Sequence, residues 1–233
     1  MEVIRRSNER GHANHGWLES HHSFSFADYF DPEHVEFGPL RVINEDRVQP
    51  GAGFGMHSHA NMEILTYVLE GALADKDSIG NGSVIRSGQV QRMSAGSGIR
   101  HSEFNASLSE PVHFLQIWIQ PNVRDIAPSY EEGTFPVNER RGRLRLVASP
   151  NGAARSVLLR QDAQMFVGWF DGVERENFAL DNRRRAYIHI ARGSIDVNGT
   201  RLHSGDGLKI SAMDSMILEN GSGAEVIAFD LPA

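Results

Sequence analysis

The sequence predicts an all-β protein that consists of two tandem antiparallel β-barrels. Its apolar runs are short and rich in β-branched and aromatic residues, and turn residues separate them. Asn198-Gly199 is one such turn, a strong hairpin signal. Glycine makes up 23 of the 233 residues, against a usual share of about 7%. No window sustains the 3.6-residue apolar period of a helix over about 11 residues. The predicted strands include Leu40–Ile43, Ile64–Leu69, Val112–Ile119, Val167–Phe170, Tyr187–Ala191 and Glu225–Phe229.

The strand pattern stops between Gln120 and Pro136, where three prolines cannot donate to a strand ladder. This stretch is predicted to be an exposed connection. On either side of it lie two similar segments, because 85–95 aligns without gaps on 202–212. Two repeats explain both the chain length and the proline break. We therefore expect an N-terminal domain over residues 1–133 and a C-terminal domain over residues 134–233.

Composition excludes several classes of protein. The net charge of -7 argues against a nucleic-acid-binding surface. No run approaches the ~18 apolar residues of a membrane span, and the N-terminus has no apolar stretch of the signal-peptide type. Cysteine is absent, which excludes disulfides and thiolate metal sites. These features favour a cytoplasmic protein.

Two short motifs carry the metal-binding chemistry. Side chains alternate faces along a strand, so His57 and His59 share one face, and His101, Glu103 and Asn105 share another. Three imidazoles and one carboxylate that converge suit iron, zinc, nickel or copper. Four protein ligands on an octahedral ion leave two positions free, as catalysis requires. The sequence therefore predicts one divalent transition metal per chain.

Glu63 is a second candidate carboxylate, because strict alternation also places it on the inner face. It lies four residues beyond His59, about 13 Å along an ideal strand at ~3.3 Å per residue. Only one of the two carboxylates is needed as a ligand. We therefore assign Glu103 to the metal, and expect Glu63 and Asn105 to support the ligands from behind.

The remaining candidates are interpreted as structural. In the second repeat, Leu218 and Asn220 align with His101 and Glu103, so no metal is expected there. His189 and His203 are interpreted as packing and turn residues. The N-terminal histidines show no strand-spaced pair with a nearby carboxylate, and hydrogen-bonding or cavity-lining roles are expected for them. They are His12, His15, His21, His22 and His34. The three tryptophans Trp17, Trp118 and Trp169 are expected in the core.

The two motifs resemble the paired motifs of the cupin superfamily. The stretch from Gly51 to Glu63 fits the pattern Gly-x5-His-x-His-x3-Glu. The second motif departs from the cupin pattern, because Ser94 replaces a usual proline and two extra residues precede His101. In these two departures the chain resembles the pirin family. Its resemblance to bacterial pirin-like proteins extends over nearly the whole length of the chain. The matching segments include Gly16–Leu18, His22–Phe26, Arg41–Asn44, Glu63–Gly71, Gln91–Gly96 and Gln116–Ile119.

The resemblance implies a bicupin in which only the N-terminal barrel binds metal. It implies that His57, His59, His101 and Glu103 are the ligands, with Fe(II) as the expected ion and zinc, nickel or copper as alternatives. The implied activity is that of a quercetin 2,3-dioxygenase, with a flavonol and O2 as substrates and Glu103 as the catalytic carboxylate. The alternative is a non-enzymatic iron-binding regulator that acts on a protein partner. Asp75, where relatives often carry histidine, leaves this ligand set intact.

Overall fold

Twenty strands form nearly all of the regular structure in the computed structural model, which describes all 233 residues. In the first half they are β1 Glu2–Arg5, β2 Gly11–Asn14, β3 Leu18–His22, β4 Leu40–Val48, β5 Gly53–His59, β6 Glu63–Glu70, β7 Ala72–Asp77, β8 Gly82–Arg86, β9 Gln89–Ser94, β10 Ile99–Asn105, β11 Val112–Ile119 and β12 Ser129–Thr134. In the second half they are β13 Leu144–Ser149, β14 Val157–Leu158, β15 Gln164–Phe170, β16 Glu176–Ala179, β17 Arg185–Val197, β18 Thr200–His203, β19 Gly207–Ser211 and β20 Ser215–Leu231. One short helix, α1 (Val137–Arg140), and two 3-10 turns complete the chain. No helix is long and apolar enough to cross a membrane.

The first half folds into two facing sheets. A seven-stranded sheet has the order β12-β9-β6-β11-β4-β3-β2, and a four-stranded sheet has the order β5-β10-β7-β8. Val68 and Phe114 of the first sheet pack against Leu73 and Ile85 of the second, in one apolar cluster. The eight strands of the second half, together with β1, form a nine-stranded sheet around the long strands β17 and β20. The all-β prediction is confirmed. The hydrogen bonds leave three open sheets instead of two closed barrels, and the N-terminal sheets separate around a cavity that both of them line.

The predicted repeat corresponds to two strand–turn–strand connections in the structure, and in each of them the two joined strands do not pair with each other. β8 and β9 are joined by a turn at Gly88, and β18 and β19 are joined by a turn at Gly205. The two glycines have φ angles of 81° and 84°, values that side chains with a Cβ rarely adopt. Turn glycines therefore stand at the same place in both aligned segments.

Two segments depart from the predicted organisation. Ser129–Thr134, expected within the exposed connection, is a strand that pairs with β9. No proline interrupts it, so its amides are free to donate, and the irregular connection is confined to residues 121–128. At the N-terminus, β1 pairs with β19 and joins the sheet of the second half. The N-terminal strand β1 therefore belongs to the sheet of the second half, although it precedes the boundary expected at residue 133.

The two halves share a large buried interface. A core cluster of 23 buried residues takes Leu65 and Tyr67 from the first half and Met165 and Phe229 from the second. Polar groups are also buried there. Tyr67 of the first half donates a hydrogen bond of 2.5 Å to Oε1 of the buried Glu225, whose other oxygen forms an ion pair with Arg192 at 3.1 Å. The halves are thus held together by apolar packing and by neutralised buried charge.

His189 lies at this interface and makes the stability of the fold depend on pH. Its ring nitrogens have no hydrogen-bond partner, and burial, together with the nearby Arg10, lowers its pKa from 6.5 to about 4. Below pH 6.5 the unfolded chain therefore takes up a proton that the folded chain does not. The free energy of unfolding should fall as the pH drops from 6.5 towards 4, by about 2 kcal/mol at pH 5. Urea denaturation at pH 7 and pH 5 measures this loss.

Matched variants separate this contribution from that of other groups. His189→Gln should show a smaller loss of stability between the two pH values, whereas His203→Gln, at the exposed end of β18 in the same half, should behave as the wild type. An unchanged pH dependence in His189→Gln would assign the acid sensitivity to other residues.

Candidate metal centre

Three imidazoles converge where β5 and β10 pair in the four-stranded sheet. His57 lies directly opposite His101, and His59 lies opposite Ile99. The ring centroids of the three histidines are 4.4–5.1 Å apart, and one nitrogen from each can lie within 4.8 Å of the others. Two paired strands thus bring together the three histidines that the sequence singled out.

Glu103 completes the group from the same face of β10. Its side chain is almost fully buried, and Oε2 lies 4.0 Å from Nε2 of His101. Gln116 on β11 donates a hydrogen bond of 2.5 Å to the other oxygen, Oε1. The carboxylate is therefore held by one oxygen, while its second oxygen is directed towards the imidazoles.

The residues present fit a transition metal. His101 is only 2% exposed, yet neither of its ring nitrogens has a hydrogen-bond partner in the protein. Buried polar atoms are nearly always satisfied, and an ion bound between the three imidazoles and Glu103 would satisfy one of these nitrogens. Nitrogen and carboxylate donors in this number match the ligand preferences of iron, nickel, zinc and copper.

Asp75 lies behind His101, next to its Nδ1. Its Oδ1 is 3.3 Å from Nδ1 of His101, and Gln91 donates a hydrogen bond to its other oxygen. A carboxylate at the far nitrogen of a ligand imidazole sets the tautomer and leaves Nε2 free to bind metal. Sequence reasoning missed this role, although Asp75 alternates with Asp77 along β7. It also missed Gln116, for which the sequence carries no signal beyond its place in an apolar strand.

Electrostatics keep two of the imidazoles neutral. Burial lowers the pKa of His59 to about 4, and it also lowers the pKa of His57. Burial alone would lower the pKa of His101, but Asp75 and Glu103 outweigh it and raise that pKa. Burial raises the pKa of Glu103 to about 7 against the opposing effect of His101. Neutral imidazoles present free lone pairs, the form that binds metal.

Glu63 does not face the three imidazoles. Ser94 Oγ donates to its Oε2 at 2.9 Å, and the backbone amide of Arg160 donates to the same oxygen at 3.2 Å. It shares a face of β6 with Leu65, which packs between the halves. The alternation that we carried over from His59 is wrong here, because Asn61 in the intervening turn has φ of 51° and breaks the extended backbone.

Asn105 lies on the inner face of β10, as its alternation with His101 predicts. Its hydrogen bonds, however, go to the loop that follows. Its amide donates to the carbonyls of Val48 and Glu110, and its oxygen accepts from the amide of Ser107. Asn105 therefore fixes the end of β10 and the next loop, and no hydrogen bond joins it to a proposed ligand.

The site opens into a cavity of about 720 Å³ between the two N-terminal sheets. His57, His59 and Glu103 line it together with a set of aromatic side chains. These aromatic residues are Trp17, Phe26, Tyr29, Phe54 and Trp118. The volume lies within the range of about 300–1,000 Å³ that is usual for small-molecule sites. Trp17 and Trp118, expected in the core, are therefore walls of this cavity.

Two overlapping groups contain four of the five N-terminal histidines. His12, His15 and His22 line the cavity. His12 is also the strand partner of His21, and its Nε2 lies 3.3 Å from Glu19. His12, Glu19 and His21 thus form a second, largely exposed cluster of metal-ligating side chains. Spacing along a single strand could not reveal this cluster, because the pairing of β2 with β3 brings Glu19 and His21 alongside His12.

Known proteins resemble the chain over its full length. Residues 3–119 match the Pirin family model, and residues 146–231 match the model of the quercetinase C-terminal cupin domain. Quercetin 2,3-dioxygenase of Escherichia coli K12 is 43% identical over 232 residues, which cover 100% of this chain and 99% of that protein. A putative quercetin 2,3-dioxygenase of Pseudomonas aeruginosa is 46% identical over 210 residues, or 89% of this chain and 90% of the relative.

A solved structure shows the same arrangement of the chain. The bacterial pirin YhhW of Escherichia coli, crystallised in complex with nickel(II), superposes with a TM-score of 0.94 at 44% identity. The superposition covers 100% of this chain and 99% of that one. The family expected from the two histidine motifs is therefore confirmed by two family models and by relatives that cover the whole chain. This chain belongs to the pirin family of bicupin proteins.

Proposed function

We propose that this protein is a metal-dependent dioxygenase that cleaves flavonols such as quercetin with O2. The proposal rests on one observation, that three imidazoles and a carboxylate converge at the wall of a cavity, where His57, His59 and Glu103 lie beside aromatic side chains. A planar, polyhydroxylated aromatic molecule suits such a cavity in shape and chemistry. The names of the relatives in Escherichia coli and Pseudomonas aeruginosa support the same activity.

His57, His59, His101 and Glu103 would hold one divalent metal ion, for which we propose Fe(II), with nickel, zinc or copper as alternatives. The bound ion would supply Lewis acidity and open positions for the flavonol and O2. The protein supplies the geometry. Asp75 orients His101, and Gln116 holds Oε1 of Glu103 so that Oε2 remains available.

Glu103 is the proposed acceptor of the flavonol hydroxyl proton. Three carboxylates line the cavity, namely Asp28, Asp46 and Glu103, and Glu103 is the one that lies beside the imidazoles. We assign the aromatic walls of the cavity to positioning the rings of the flavonol, with Trp118 edge-on to His59 at a centroid distance of 5.0 Å.

Oxygen uptake with a panel of flavonols tests the proposal. Protein reconstituted anaerobically with Fe(II), and in parallel with nickel(II), should consume one O2 for each flavonol lost. Metal-free protein should consume none. Full metal loading without uptake on any flavonol would contradict the proposal and favour the alternative, an iron-binding regulator that acts on a protein partner.

A further inference from the structure

A row of polar side chains crosses the inner face of the seven-stranded sheet. Three adjacent strands contribute, since β11 pairs with β4 and β4 pairs with β3. Gln116 lies opposite Asn44, Asn44 lies opposite His22, and Asp46 lies opposite Ser20. All of these residues line the cavity: Ser20, His22, Asn44, Asp46 and Gln116. We name these five residues the polar row.

The polar row begins at the metal centre. Gln116 donates to Oε1 of Glu103, while its own Oε1 is buried without a partner. Farther along, Nδ1 of His22 lies 2.9 Å from Oδ1 of Asn44, and Ser20 Oγ donates to Oδ1 of Asp46. The row therefore leads from Glu103 to a second buried carboxyl group, that of Asp46.

Asp46 differs from its neighbour Glu45 in having no cationic partner. Both side chains are buried, on opposite faces of β4. Glu45 forms an ion pair with Arg10 at 2.8 Å and contacts His113, and these partners are consistent with a structural role. Asp46 accepts a single hydrogen bond, from Ser20, and its Oδ2 has no protein partner. A carboxyl group buried without a counter-charge is costly, so its presence on a cavity wall indicates a ligand contact.

Burial also raises the pKa of Asp46 to about 7. Near neutral pH the group can therefore accept a hydrogen bond as a carboxylate or donate one as an acid. Phenolic hydroxyl groups, which both donate and accept, match either form.

We propose that Asp46, which accepts a hydrogen bond from Ser20, binds a hydroxyl group of a polyhydroxylated aromatic substrate. This hydroxyl group lies on the part of the substrate that is away from the metal. This inference rests on the proposed function, since it assumes that the other end of the substrate binds at the metal. Asp46 is thereby a specificity-determining residue. It distinguishes flavonols that carry additional ring hydroxyls from those that carry only the hydroxyl at the metal.

Anaerobic calorimetry with two probes tests this role without turnover. Quercetin carries additional ring hydroxyls, and 3-hydroxyflavone carries only the one beside the ketone. The metal-loaded wild type should bind quercetin about tenfold more tightly than 3-hydroxyflavone, the worth of one hydrogen bond to a charged group. Asp46→Val should bind both equally, and Asp46→Asn should keep part of the preference. Asp28→Val, which removes an exposed carboxylate from the same cavity, should bind as the wild type does.

The outcomes separate this inference from the proposed function. The role of Asp46 is overturned if the wild type binds the two probes equally. It is also overturned if the Asp46→Val variant, with full metal content, still prefers quercetin. If Asp46→Val and Asp46→Asn reduce the preference for quercetin but the wild type takes up no oxygen, the role of Asp46 is supported and the dioxygenase activity is contradicted. If Asp46→Val fails to fold, Asp46→Asn and Ser20→Ala decide, because both should reduce the preference for quercetin without emptying the metal site.

Discussion

Glu103→Gln should abolish oxygen uptake with flavonols and weaken metal binding at least about 100-fold. The substitution preserves the size of the side chain and an oxygen that can accept from Gln116, but it removes the anionic ligand and the proton acceptor together. Loss of residues that only support a ligand already costs about 10- to 100-fold in metal affinity or activity, so loss of a ligand should cost at least as much. Metal content after dialysis and an oxygen electrode measure the two effects.

Glu63→Gln is the matched control for this experiment. The change is chemically the same, but Glu63 lies against Ser94 and Arg160, away from the imidazoles. We expect this variant to keep most of its metal and to change activity less. If Glu63→Gln empties the site and Glu103→Gln does not, the two carboxylates have exchanged roles, and the proposed ligand set is wrong.

His57→Ala should leave the dialysed protein nearly free of metal, whereas the wild type should retain one ion per chain. His57 is the direct strand partner of His101, so its loss removes one of four ligands and opens the site to water. A three-ligand site should bind at least about 100-fold more weakly. Metal analysis after anaerobic loading with Fe(II) and dialysis measures the occupancy.

His12→Ala provides the control, since it removes a histidine from the exposed cluster with Glu19 and His21. Because two of those side chains are about half exposed, the cluster should lose any ion on dialysis, and the variant should keep one metal per chain. Two ions per dialysed wild-type chain would contradict the expected stoichiometry. Unchanged occupancy in His57→Ala would exclude His57 as a ligand.

Contacts within a single strand were predictable from the sequence. His57 with His59, and His101 with Glu103, share a face because side chains alternate along extended backbone. Their convergence was predicted from the two motifs and implied by the family resemblance, and the register of β5 with β10 places His57 opposite His101. Alternation failed for Glu63, which lies beyond a turn where Asn61 has positive φ. Side chains alternate between the two faces only while the backbone stays extended, so the alternation cannot be carried across such a turn.

Other features depend on which strands become neighbours. The pairing of β1 with β19, the position of Asp75 behind His101 and the cluster of His12 with Glu19 and His21 all join residues across strand pairs. Local propensity carries no information on such pairings, because a strand can pair with any partner of suitable length. The sequence therefore predicted strands and candidate ligands, but not the residues that hold those ligands in place.

The sequence by itself determined the all-β class, the repeated turn segments, the pirin family and the four proposed ligands, since each depends on local pattern or on motif spacing. Only the tertiary structure decided that Glu63 faces the other half of the molecule, that Trp118 walls a cavity, and that Asp46 is buried without a cation while the adjacent Glu45 is paired. The physical reason is that burial and charge pairing depend on which sheets face each other. Glu45 and Asp46 are consecutive acidic residues in the chain, and the packing on either side of β4 makes one a structural ion pair and the other a candidate ligand contact.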